Sequence, residues 1–233
     1  MSSLLNSSNR QLLRHPDNAN IRLYHDDTFE GFPLMVEKGP FIREYLFRLR
    51  HTIELTLDQY PRMVAVRVDL RLPLDIELPD YAYTNRVISR FFESFNGKIE
   101  YHRRQLREQS RYARGCKVRY VWSREVGQGG RQHYHVLILL NRDAYYGMGR
   151  LGSGRVNMIS RIEESWASAL GITLDNISGL VHIPKNAEYR LNRGGQPGDT
   201  DELPALFHRA SYLCKMATKS YGDRQRAFDT SRG

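Results

Sequence analysis

The segment MVAVRVDLRLP, Met63 to Pro73, constrains the fold more than any other stretch. Val64, Val66, Val68, Leu70 and Leu72 alternate with Arg67, Asp69 and Arg71. Successive side chains of a strand point to opposite faces, so the pattern predicts a strand with one buried face and one polar, open face, ended by Pro73.

Amphipathic helices are predicted on either side of it. Ile42, Tyr45, Leu46, Leu49 and Ile53 recur at spacings of three and four between Phe41 and Tyr60, and Pro61 closes that helix. Residues 84–110 carry the stripe Val87, Ile88, Phe91, Phe92, Phe95 and Ile99, with Gly97 as an expected kink or break. Residues 155–169 carry Val156, Ile159, Ile162 and Trp166, closed by Gly171. A last helix is expected at about 201–219, with Asp201 as its cap, Pro204 in its first turn, and Leu206, Ala210, Leu213 and Ala217 turned to the sheet.

Further strands are expected at KVRYVWSREV and HYHVLILLN around the glycine-rich turn GQGGRQ, and at SGLVHIP. The order strand, helix, strand, strand, helix, strand predicts an α+β fold of the split β-α-β type (ferredoxin/RRM-like). Helices would cover one face of an antiparallel sheet and leave the other open to nucleic acid. Three regions are expected: an N-terminal arm and helix over 1–60 packed on the domain, with residues 1–37 as an arm or a loosely packed lead-in, the main domain over 61–222, and a frayed polar tail over 223–233.

In pleat register, Val118, Tyr120 and Trp122 of the first hairpin strand and Tyr134, Val136, Ile138 and Leu140 of the second face the helices. Glu125, His133 and His135 then share the opposite face. Two imidazoles and a carboxylate converging on a sheet suit a divalent ion with open positions, although an H-x-H pair on a strand is common without one. Asp69, on the same face, is a candidate further ligand or supporting acceptor. His182 reads as a packed or surface histidine. In the last helix, Tyr212 and Lys215 stand three residues apart, with Lys219 one turn on. An ammonium group there can neutralise charge developing on the phenolic oxygen or on a phosphate.

The 35 Lys and Arg residues exceed 26 acids, for a formal +9 and a pI near 9.7, which favours a polyanionic partner. Lys117, Arg119, Arg124, Arg131 and Lys219 are the candidate nucleic-acid contacts at the site. The basic run Arg103–Arg114 could grip flanking duplex. The two cysteines, Cys116 and Cys214, lack metal-ligand spacing and indicate a reducing compartment. The opening residues lack the continuous apolar core of a signal peptide, and no apolar run is long enough to cross a bilayer, so a cytoplasmic location without membrane contact is expected.

These residues resemble those of HUH endonucleases. His133-Tyr134-His135 resembles the His-hydrophobic-His motif, with an aromatic residue in the middle. Tyr212-Leu213-Cys214-Lys215 resembles the Tyr-x-x-Lys motif of single-tyrosine rolling-circle replication initiators, in the same order along the chain. Glu125 resembles the third metal ligand of several viral members. More closely, RQHYHVLILLNRDAYY, SYLCKMATKSYG and FDTSRG resemble the replication-protein family of filamentous phages (inoviruses) and related prophages, over about residues 60–233.

The resemblance implies that His133, His135 and Glu125 hold Mg²⁺ or Mn²⁺. It implies that Tyr212 attacks single-stranded DNA at a replication origin and stays joined to the 5′ phosphate, and that Lys215 assists by its charge. A host polymerase and helicase would be the further partners. The turns GQGGRQ and RLGSGR lack the Gly-Lys-Ser/Thr ending of a phosphate loop, so unwinding is expected to come from elsewhere. Tyr221, past the helix's expected end, is a poor second nucleophile. Two other readings remain at this point: a non-catalytic single-strand-binding module or regulator of a mobile element, and a phosphodiesterase that uses water and leaves no protein–DNA adduct.

Overall fold

A computed structural model describes residues 13–127, 131–149, 156–194, 202–219, 223 and 225–232. Within these, short strands β1 (Arg14–His15), β2 (Asn18–Tyr24), β3 (Thr28–Phe29), β4 (Phe32–Pro33) and β5 (Phe41–Ile42) precede helix α1 (Arg43–Gln59). The chain continues through β6 (Arg62–Arg71), α2 (Arg86–Gln109), β7 (Arg119–Val126), β8 (Gln132–Asn141) and α3 (Met158–Leu170). It closes with β9 (Val181–His182), β10 (Glu188–Asn192), α4 (Leu203–Ser211) and β11 (Phe228–Thr230). Asp201 and Tyr221 lie outside the described residues, as does most of the turn at residues 128–130 and 150–155.

The protein is α+β. Its main sheet runs β10-β6-β8-β7-β11, antiparallel throughout, with β9 beside the far end of β6. Taken alone, β6-α2-β7-β8-α3-β10 has the order of a split β-α-β unit, because the first and third of its strands lie in the middle.

Val64, Val66, Val68 and Leu70 of β6 and Tyr134, Val136, Ile138 and Leu140 of β8 bury one face of the sheet under α2 and α3. Phe91 and Phe95 of α2 and Trp166 of α3 are fully enclosed there, and each such side chain stabilises the fold by roughly 1.5–3 kcal/mol. That burial explains why α2 runs unbroken through Gly97, whose intrinsic cost is only about 1 kcal/mol. Helix α3 begins with an Asn157–Ser160 capping box and ends at Gly171, whose φ of 74° favours a residue without Cβ. Val156, expected on the α3 stripe, precedes the helix and is exposed.

The second face is not open. Met63 and Ala65 of β6, Val121 of β7, and Leu137 and Leu139 of β8 form a second core with α1 (Leu46, Leu49, Ile53) and α4 (Leu206, Phe207, Ala210). The expectation of helices on one face is therefore corrected: the polar run of β6 starts only at Arg67, and the apolar half before it needs a cover. The N-terminal segment supplies part of that cover. Phe29, Leu34 and Met35 of the expected lead-in, residues 1–37, are buried in this second core.

Two further expectations at the C-terminal end are corrected. The last helix stops at Ser211. Tyr212–Cys214 form a 3₁₀ turn, and Lys215 is extended and bridges to Phe41, while the Met216 N–H donates to the Pro40 carbonyl at 2.9 Å. The N-terminal segment captures the chain where local pattern alone would continue a helix. The expected polar tail contributes β11, which pairs with β7 and stacks Phe228 on Tyr45 at 4.2 Å between ring centroids.

Candidate metal centre and nucleophile

Cross-strand register assembles the site. On the second face, Glu125 of β7 stands directly opposite His133 of β8, and Ser123 stands opposite His135. On the other side of β8, Asp69 of β6 stands opposite His135, and His182 of β9 stands opposite Asp69. Side-chain alternation thus lines up Asp69, His135 and Glu125 at the end of the sheet that α1 and α4 leave uncovered by apolar side chains.

Glu125, His133 and His135 offer ligand atoms that all lie within 4.8 Å of one another. Glu125 Oε2 is 3.6 Å from His133 Nε2 and 3.3 Å from His135 Nε2. His135 Nδ1 lies 2.6 Å from Asp69 Oδ1, so Nδ1 carries the proton and donates it to the carboxylate. Nε2 then presents a lone pair toward Glu125 Oε2 and is buried without a hydrogen-bond partner. A lone pair set against a carboxylate oxygen is an arrangement that a cation between them satisfies. The N, N, O donor set with a carboxylate-held histidine suits a divalent ion that keeps open positions. Burial alone would raise the Asp69 carboxyl, but the hydrogen bond from His135 and the Arg67 guanidinium outweigh it and hold it at about 2. Burial likewise opposes ionisation of Glu125, and hydrogen bonds from the His133 and His135 rings when these carry a proton on Nε2, with the Lys219 ammonium, hold its carboxyl well below the usual carboxylate range.

Tyr212 and Lys215 reach this centre from the far end of the chain. The Tyr212 ring meets the His135 ring edge-on, 5.0 Å between centroids. Lys215 Nζ lies 3.7 Å from the Tyr212 ring centroid and 3.1 Å from Glu125 Oε1. The proximity of Tyr212 and Lys215 was expected from helical spacing; it arises instead from the 3₁₀ turn and the strand-like exit after it.

Three neighbours were undervalued by reading the sequence. Arg67 is buried beside Asp69, with Nη2 at 3.4 Å from Oδ1, and burial lowers its pKa. Lys219, expected to contact nucleic acid, is wholly buried with Nζ 3.7 Å from Glu125 Oε1, and burial brings its pKa down to about 8. Asp69 is the supporting acceptor for His135, and His182, half exposed, approaches it at 3.3 Å. The alternation of β6 already placed Arg67 and Asp69 on the face of the site; helical spacing named Lys219 beside Lys215 as a contact for nucleic acid, and no pattern in its segment signalled its burial.

The remaining cations lie elsewhere. Arg119 is at the opposite end of β7, about 20 Å from Glu125 for six residues of strand, and Lys117 precedes that end. Arg119 donates to Gln59 Oε1 at 2.6 Å. Arg124 points to the other face and pairs with Asp223. Arg131 donates to the carbonyls of Pro73 at 2.6 Å and Leu74 at 2.8 Å. Arg103 is buried against the Ala144 carbonyl, whereas Arg104, Arg107 and Arg111 are exposed. Cys116 and Cys214 are free thiols, and burial pushes Cys116 up to about 11. Among the described residues, no helix is long and apolar enough to cross a membrane.

The sequence pattern of the YagK/YfjJ C-terminal domain matches residues 24–231, so the match takes in most of the N-terminal segment along with the sheet. The chain is 35% identical to "Uncharacterized protein YagK" of Escherichia coli (strain K12) over 199 residues, 83% of this chain and 94% of that protein. It is 32% identical to "Uncharacterized protein YfjJ" of the same organism over 204 residues, 84% of this chain and 98% of that protein. No solved structure gives a significant match. The chain belongs to the YagK/YfjJ C-terminal domain family.

Proposed function

We propose that this member of the YagK/YfjJ C-terminal domain family is a replication initiator that nicks and rejoins single-stranded DNA through Tyr212. One observation carries the reading: Tyr212 and Lys215, remote in sequence from the hairpin, pack directly on Glu125 and His135. A surface tyrosine has no need of such company.

In this reading Glu125, His133 and His135 hold Mg²⁺ or Mn²⁺, which when bound polarises a phosphodiester and offsets charge that builds on it. Asp69 fixes the His135 ring so that Nε2 faces the ion's position. The Tyr212 hydroxyl gives its proton to solvent and its oxygen bonds to phosphorus as the bond to the 3′ oxygen breaks, and the departing oxygen takes a proton from solvent to become a 3′ hydroxyl. Lys215 offsets charge on the phenolic oxygen and on the phosphate. The phosphotyrosine bond conserves the energy of the one it replaced, so the reverse attack reseals a strand. The 3′ hydroxyl suits a host polymerase, with unwinding by a separate helicase. A cytoplasmic setting in a phage, prophage or other mobile element follows from the same reading.

The test is a denaturing gel of the purified chain with Mn²⁺ and labelled single-stranded DNA from the element that carries its gene. A slow, nuclease-sensitive adduct lost in Tyr212→Phe and in His133→Ala is expected. Cleavage that persists without adduct in Tyr212→Phe would assign the site to a water-using phosphodiesterase. Binding without cleavage by the intact chain would leave a non-catalytic single-strand-binding regulator.

A further inference from the structure

The Glu125 carboxylate is divided between two kinds of partner. Its Oε2 faces the histidines, 3.6 Å from His133 and 3.3 Å from His135, while Oε1 faces Lys215 Nζ at 3.1 Å and Lys219 Nζ at 3.7 Å. Lys215 has a place in the proposed chemistry. Lys219 does not, because its side chain has 0% exposure and is enclosed away from any strand. Its Nζ, though near a carboxylate, makes no hydrogen bond. Enclosing an ammonium group is costly, and an apolar side chain of the same length would fill the space at lower cost. The charge of Lys219 therefore calls for a reason other than packing.

The charges of the cluster supply one. Asp69 and Glu125 are opposed by Arg67, Lys215 and Lys219, so with neutral imidazoles the centre is positive before any ion enters. The affinity of a site for a divalent cation follows the charge its surroundings carry, and a positive centre holds such an ion poorly. A phosphodiester brings the missing negative charge. We propose that Lys219 is a positioning residue that makes ion binding conditional on DNA: the divalent ion and a strand phosphate enter as a pair and hold each other. This rests on Glu125, His133 and His135 as the ion's ligands in the nickase reading. By linkage, the ion strengthens DNA binding by the same factor that DNA strengthens ion binding.

The test uses the full chain carrying Tyr212→Phe, so that no strand is cut, with free Mn²⁺ followed by electron paramagnetic resonance at neutral pH. A thymidine oligonucleotide is expected to tighten Mn²⁺ binding by roughly tenfold or more, within the usual range of coupling between sites. Lys219→Gln keeps a donor for Glu125 Oε1 without the charge. It should tighten Mn²⁺ binding in the absence of DNA by a comparable factor and remove most of the oligonucleotide's effect. Lys219→Arg, which restores charge, should restore the coupling, and Lys219→Met serves in place of the glutamine variant if that chain unfolds. An oligonucleotide without effect on Mn²⁺ affinity, neutral variants that bind Mn²⁺ no more tightly, or no Mn²⁺ binding under any condition would each overturn the proposal. An adduct formed by the intact chain alongside uncoupled Mn²⁺ binding would sink this inference alone. Coupled binding without any adduct would sink the nickase reading alone.

Discussion

The two faces of the central sheet are drawn from the same strands and solve opposite problems. The face under α2 and α3 is apolar from end to end, from Val64 to Leu70 on β6 and from Tyr134 to Leu140 on β8. The other face changes character along the strand. It is apolar at Met63, Ala65, Leu137 and Leu139, where α1 and α4 cover it, and charged at Arg67, Asp69, His135 and Glu125. Those charged side chains are buried as well. What separates the regions is that one is held by packing and the other by mutual neutralisation, so damage to one should register as lost stability and damage to the other as lost chemistry.

The largest expected effect lies on the charged side. Tyr212→Phe and Glu125→Gln should each reduce adduct formation by at least about 10³-fold in the denaturing-gel assay. Circular dichroism melts should shift by no more than a few degrees for Tyr212→Phe, a change of one hydroxyl at a partly buried residue. On the apolar side, Phe91→Ala should cost about 3–5 kcal/mol and lower Tm by roughly 6–20 °C for a chain of this size. Its residual activity per folded molecule should remain. A smaller effect should come from Asp69→Asn, which breaks the support of His135: Mn²⁺ affinity should weaken by about 10–100-fold in a titration, the usual range for such partners.

The smallest effect concerns a carboxylate distant from the site. Asp229 pairs with Arg48 and Arg226, and although burial opposes it, these partners hold its pKa below the ordinary value. Its contribution is thus present above about pH 4 and lost as pH falls below that value. Asp229→Asn should lower Tm slightly at neutral pH and converge with the parent chain below about pH 4, which flattens the acid limb of a Tm-versus-pH curve. A fall in Tm at pH 7 as large as that of Phe91→Ala would erase the contrast between the two regions.

The elements that local burial shapes were legible in the sequence. The alternation of β6 and β8, the stripe of α2 and the capped turns of α3 all express which side of an element meets a core. Pleat register alone placed Glu125 on the face of His133 and His135, and the hairpin sets it opposite His133. In the main sheet the strands that escaped were β10, EYRLN, and β11, FDT, whose mixed side chains carry no pattern. They are strands because β6 and β7 present edges that they complete, and no local window contains that fact. SGLVHIP was read as the last strand of the unit, but only Val181 and His182 pair, and β10 takes the place beside β6. Likewise, the end of α4 is set by a partner near residue 40 rather than by its own residues. The second core had a trace in Met63 and Ala65, which the eye passes over on the way to Arg67.

The bridge between Phe41 and Lys215 carries a consequence for how such a chain can be divided. Because the backbone of the lysine is docked on the N-terminal segment, the residues around Phe41 belong to the candidate site in the sense that a vice is part of the cut. A version trimmed to begin at Met63 would keep Glu125, His133 and His135 and lose the jaw that holds Lys215 over Tyr212. Histories in which the N-terminal segment and the tyrosine turn were acquired separately are correspondingly disfavoured, and changes around residues 40 and 215 are expected to travel together through descent.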